Sequence, residues 1–165
     1  MNRRALFAAA VGTATFMSAG LIANSGVLVL TRLAIVGGAL AACASYDFVQ
    51  RRIPNRIVVP AAAACTALTL AAGIPLILVA GLTMVLLLLV VSLRWPAALG
   101  MGDVKLALLL VVGLDGSALR ALALGLTFAA FAGLLRVVRE GGTAWQASLP
   151  LAPFLAAGAL LAVIA

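Results

Sequence analysis

Four acidic side chains occur in the whole chain, and two of them, Asp47 and Asp103, stand at the edges of long apolar runs, in the strings DFVQRRIPN (47–55) and GMGDVK (100–105). A carboxylate at the centre of a bilayer costs roughly 2.5–3.5 kcal/mol on insertion scales, so an acid set in or beside such a run is a candidate functional group. Two of them suit one reaction. With one ionised and the other protonated, the first draws a proton from water while the second polarises a scissile carbonyl, which is how a carboxylate pair hydrolyses a peptide bond. The division of acid and base belongs to the pair, not to either residue.

Each acid also has a plainer reading. Arg51 lies four residues after Asp47, the spacing of a helical ion pair worth about 0.2–0.5 kcal/mol. Asp103 opens an apolar stretch, where an acid caps a helix and is favoured by its dipole. A cap alone does not account for its neighbours. Gly100 and Gly102 remove side chains from the approach to Asp103, admitting an extended substrate backbone or another helix. Lys105, two residues on, cannot share the Asp103 face and is expected to snorkel to the interface as an anchor. Asp115 and Glu140 belong to neither string, and no role is expected of them.

The residue types that are missing narrow the chemistry. The chain has no histidine, which removes Ser-His and Cys-His nucleophilic pairs and the commonest metal ligand. Its two cysteines, Cys43 and Cys65, sit in alanine-rich apolar stretches, where a small buried hydrophobe is the simpler role than a disulfide or metal ligand. No metal site and no cofactor is expected. A Ser-Lys pair built on Lys105 lacks a serine close to it in sequence.

The elements that must position these residues are membrane helices. Hydrophobic residues make up 66% of the 165 positions and charged ones 9%, against about 25% charged in a soluble domain. The net charge of +7 carries no lysine- or arginine-rich run and few aromatics, which excludes a nucleic-acid binder and fits basic loops near anionic lipid. At about 20 apolar residues per span, helices are expected near 5–23, 26–46, 57–73, 75–93, 117–137 and 149–164. A shorter apolar piece, 104–114, closes on the turn signal Leu114-Asp115-Gly116-Ser117 and reads as a short tilted helix or as half of a helical hairpin. The fold class is all-α, a polytopic bundle of about six to seven transmembrane helices.

Residues 1–24 have two readings. Arg3 and Arg4 before an apolar stretch, with Ser18-Ala19-Gly20 after it, look like a secretory signal, but another span follows, so a retained helix ahead of a membrane domain at 25–165 is expected. Arg51, Arg52 and Arg56 follow the second span, Arg94 the fourth, and Arg136 and Arg139 the 117–137 helix, so the positive-inside rule turns both acid motifs to the cytoplasm. Arg32 and Arg120 fall near outer helix ends and are expected to snorkel. Small residues recur every fourth position at Ala121, Gly125, Ala129 and Gly133 and at Ala63, Ala67 and Ala71, stripes expected to pack helices within the bundle and also suited to contacts in a homo-oligomer.

An aspartate followed by Arg51, Arg52, Pro54 and Asn55, then G-x-G-D-x-K at 100–105, then a final helix punctuated by Pro150, Pro153 and Gly158, resembles the type IV prepilin peptidase family, most of all its short, Tad/CpaA-like branch. The resemblance covers roughly residues 40–165. It implies an aspartic endopeptidase with catalytic Asp47 and Asp103, Gly100 and Gly102 at the backbone approach, and Arg51, Arg52, Pro54, Asn55 and Lys105 as motif support. The implied substrates are type IV pilin-like (Flp-type) precursors, cleaved behind a basic leader at the cytoplasmic face of a prokaryotic inner membrane. Longer members carry a cytoplasmic segment with zinc-binding cysteines and methylate the new amino terminus; that segment is not in this sequence, so peptidase without methyltransferase is expected. The readings from other classes are a small transporter or proton- or cation-conducting component with buried acids, and a noncatalytic pilus-assembly scaffold.

Overall fold

The computed structural model describes residues 3–22, 26–73, 76–96, 99–140 and 150–165. Among these the chain is all-α: α1 (Arg3–Ile22), α2 (Val27–Gln50), α3 (Asn55–Ala72), α4 (Ile77–Arg94), α5 (Met101–Leu114), one turn of 3-10 helix (Asp115–Ser117), α6 (Ala118–Glu140) and α7 (Ala152–Ile164). Five stretches are long and apolar enough to cross a bilayer, the last, Met101–Arg139, being α5 and α6 together. This is the fold of a multi-pass membrane protein. The helices fall within a few residues of their expected places; the expected ends at 23, 75 and 149 lie outside the described residues.

Side-chain contacts give the direction of each helix. Lys105 meets Asn55 at one end, while Arg32 meets Asp115 and Thr69 at the other. Hence α2 runs against α5 and α3 runs with it. Arg120 lines the same hollow as Ala162 and Val163, whereas Gly125 lies against Leu155, so α6 returns antiparallel to α7. The piece at 104–114 is therefore the first arm of a helical hairpin that turns at Asp115–Ser117. Apart from Arg32 and Arg120, these directions gather the basic residues at the end where Asp47 and Asp103 lie.

The central helix is α5. Its Val104, Leu106, Ala107 and every residue from Leu109 to Leu114 are buried, as expected of a helix that is apolar all round. Glycines set the closest crossings around it. Gly12 of α1 meets Gly37 of α2 backbone to backbone, and Gly158 of α7 meets Gly125 and Ala121 of α6, leaving no room for a Cβ at either place.

Two sequence expectations need correction. Ala63, Ala67 and Ala71 are exposed and are not the face that α3 buries; α3 buries Val58, Cys65 and Thr69 instead, because the larger side chains fill the space against α5. Arg32 does not snorkel. It is 4% exposed and ion-paired with Asp115, so its charge is compensated where it stands and gains nothing by reaching for water.

Candidate active site

The last turn of α2 carries Asp47. Sequence placed the helix end at 46, but Phe48, Val49 and Gln50 continue it, and the stop comes at Arg51, which turns left-handed with φ 51° and ψ 39° and donates its N–H to the Asp47 carbonyl at 2.9 Å. Pro54, extended at φ −75° and ψ 118°, then starts α3 with Asn55 as its first residue. The string from Asp47 to Asn55 is thus a complete helix end, turn and helix start. Arg51 and Arg52 are exposed on that turn.

Asp103 sits in the first turn of α5. Gly100 is the N-cap residue and its carbonyl accepts the Asp103 N–H at 3.1 Å, so Asp103 is the third helical residue and not itself the N-cap. Its carboxylate turns back toward the Gly100 backbone N–H, the half of a capping box that needs no N-cap side chain. A Cβ on Gly100 would stand 3.3 Å from the Asp103 carboxylate. A Cβ on Gly102 would stand 2.9 Å from the Cβ of Ile53, closer than real side chains approach. The bareness of Gly102 therefore serves contact with the turn of the first motif.

That contact brings the two strings together. Ile53 packs on Gly102, the Lys105 ammonium donates to the Asn55 side-chain carbonyl at 2.9 Å, and Asp103 lies near enough to Asp47 to feel its charge. Lys105 is more than an anchor: it ties the start of α3 to the first turn of α5. Asp47 is 7% exposed and Asp103 half-buried, so the pair has one shielded member and one that water reaches more readily.

Sequence reading missed three contributors. The Ala152 N–H donates to the Asp47 carboxylate at 3.1 Å across 105 positions of chain, so the amino end of α7 points at the acid. With Asp103 in the first turn of α5, the positive ends of two helix dipoles converge on the pair. Pro150 and Pro153 marked the start of α7, though not what it faces. Ser92 at the end of α4 donates to the Leu99 carbonyl at 3.0 Å and holds the approach to Gly100; nothing distinguishes it from any other membrane serine by sequence. Ile53 is the third, an ordinary apolar residue until Gly102 is seen beneath it.

No group of three or more Cys, Asp or Glu side chains is assembled among the described residues in a way that would hold a metal ion. A cavity of about 400 Å³ opens between the first turn of α1 and the last turns of α2, lined by Arg4, Ala5, Ala44, Ser45, Phe48 and Val49 among others, and neither aspartate lines it. No curated protein and no solved structure matches the chain. A family model described as the type IV leader peptidase family matches residues 34–164, taking in both aspartate strings and the final helix, and the chain belongs to that peptidase family.

Proposed function

We propose that this protein is an aspartic endopeptidase in which Asp47 and Asp103 act together to cleave the basic leader from pilin-like precursors. The observation that carries the reading is the contact between the two aspartate strings, Ile53 on Gly102 and Lys105 on Asn55, which gathers acids 56 positions apart in sequence at one end of the bundle. The ionised member takes a proton from water as the oxygen adds to the scissile carbonyl carbon, and the protonated member gives its proton to the carbonyl oxygen. As the gem-diol collapses, the carbon–nitrogen bond breaks, the leaving nitrogen takes a proton from the pair, and one water has become part of a new carboxyl and amine. Helix ends aimed at the pair supply fixed positive potential for the charge in play.

The acid end faces the cytoplasm of a prokaryotic inner membrane in this proposal. Its support is the gathering of basic residues there, Arg3, Arg4, Arg51, Arg52, Arg56 and Arg94 among them, which the positive-inside rule assigns to the cytoplasmic side. A precursor would lie with its apolar helix among or beside these helices and its leader at the acids. The glycine-to-glycine seating of α1 on α2 supports residues 1–24 as a retained helix. The enzyme cleaves without methylating.

The test is cleavage of a pilin-like precursor by purified protein in the presence of a methyl donor, read by mass spectrometry. Asp47→Asn and Asp103→Asn each lose activity by about a hundredfold or more while still accumulating in the membrane, since each keeps its size and loses its titrating proton. The parent yields a mature product with a free amino terminus. Substantial cleavage by either variant removes the two-aspartate mechanism, and added methyl mass removes the peptidase-only part.

A further inference from the structure

The far end of the bundle holds a second polar layer. Arg32 of α2, 4% exposed, is ion-paired with Asp115, and its Nη1 also donates to the Thr69 hydroxyl of α3 at 3.1 Å. That hydroxyl donates to the Val112 carbonyl in the last turn of α5 at 2.8 Å. A chain of four residues thus joins α2, α3 and the end of α5. Asp115 adopts φ 43° and ψ −118°, an unusual conformation for a residue with a side chain, and it is where the hairpin turns.

Helix geometry sets the two polar layers closer together than a bilayer is thick. From Arg32 to Asp47 along α2 is roughly 22 Å, and from Asp103 to Asp115 along α5 roughly 18 Å, at 1.5 Å per residue. The hydrocarbon core is about 30 Å thick, so the two polar layers cannot both lie at its surfaces. With 14 residues, α5 is about 21 Å long and ends short of a full crossing. Its last carbonyls would be left without partners in an apolar medium, and Thr69 supplies one.

Apolar packing marks where α5 sits along its axis at few places, chiefly the seating of Val111 on Gly81 of α4 and of Gly113 on Val36 of α2. The run Leu106-Ala107-Leu108-Leu109-Leu110-Val111-Val112 presents much the same surface after a slide of one turn, and exchanges of similar aliphatic side chains are tolerated in cores. A buried ion pair has one register, and specifying register is the best-attested use of such pairs.

We propose that Arg32, Asp115 and Thr69 are positioning residues: they pin the far end of α5 and thereby hold Asp103 level with Asp47 at the other. The catalytic half of this inference rests on the aspartate-pair reading; the structural half does not.

The test uses the full chain in membranes, with Cys43 and Cys65 replaced by alanine and a reporter pair, Asn55→Cys and Lys105→Cys, at the exposed contact between the two motifs. A short bifunctional thiol reagent cross-links the reporter rapidly in the parent. In Asp115→Asn and Arg32→Met the cross-link forms about fivefold more slowly or less, because the reagent spans only a narrow range of distance. Without the reporter, the same substitutions lower kcat for precursor cleavage by about tenfold to a hundredfold at equal protein, as expected from a displacement near 1 Å at the acids. The exchange Arg32→Asp with Asp115→Arg restores part of both. Thr69→Val, which removes the bridge without burying a lone charge, carries the test if the charge variants fail to accumulate, and slows the cross-link and cleavage severalfold. Cross-linking and cleavage at parent rates in Thr69→Val and in every charge variant that accumulates overturn the proposal. Asp103→Asn is assayed alongside: if it still cleaves, the aspartate-pair reading fails, and the cross-link alone judges the positioning role.

Discussion

Asp47 does two jobs at once, since the carboxylate that accepts the Ala152 N–H is also the one whose charge Asp103 feels. That bond satisfies a backbone donor at the start of α7 and fixes the rotamer of the acid, leaving the more open Asp103 to vary with solvent and substrate. Lys105 illustrates a weaker kind of support. Its hydrogen bond to Asn55 is exposed to solvent, where screening and competition from water hold such contacts to about 1 kcal/mol or less. Lys105→Met should therefore leave the protein folded and lower cleavage only severalfold, and Asn55→Ala should match it without adding to the loss in the double variant. Additive losses in a precursor-cleavage assay would show that the two residues act apart.

At the scale of elements, the site depends on how closely α5 approaches the turn between α2 and α3. Gly102→Ala puts a methyl group 2.9 Å from the Ile53 Cβ, so one segment must move, and overpacking of this kind costs about 1–3 kcal/mol. Because the movement separates the two acids, cleavage should fall by about tenfold or more. Ile53→Gly in the same chain removes the opposing Cβ and should recover part of it. A Gly102→Ala protein with parent activity, measured at equal membrane content, would mean that this contact does not set the spacing. The opposite end of α5 is tied by Arg32 and Thr69, so the helix is held at both ends, with the seating of Val111 on Gly81 of α4 between them.

For the molecule as a whole, the placement of charge sets orientation. Single cysteines at Arg52 and Trp95, in a background without Cys43 and Cys65, should react with an impermeant thiol reagent from the cytoplasmic side, and one at Gly26, at the outer end of α2, from the outside. The reverse pattern would put the acids on the face where leaders are not found. Removing the native thiols is compatible with this design, as both are buried and neither is in a disulfide.

The sequence by itself determined the solvent and the elements, and it nominated the two carboxylates of the proposed pair. Apolar length sets the number of spans, Pro54 and the Gly100–Gly102 pair mark the turns, and the scarcity of acids and lack of histidine leave two carboxylates for chemistry. These are local properties, legible one residue or one window at a time. Tertiary structure alone decided which surfaces meet. Leucine, valine and alanine faces are nearly interchangeable partners, so nothing in the chain announces that Ala63, Ala67 and Ala71 turn outward while Cys65 and Thr69 turn in. Hydropathy likewise gives the cost of burying Arg32 without naming Asp115 as the group that offsets it, or Ala152 as the donor that Asp47 receives. Those pairings are long-range, and they exist only once packing has put the helices side by side.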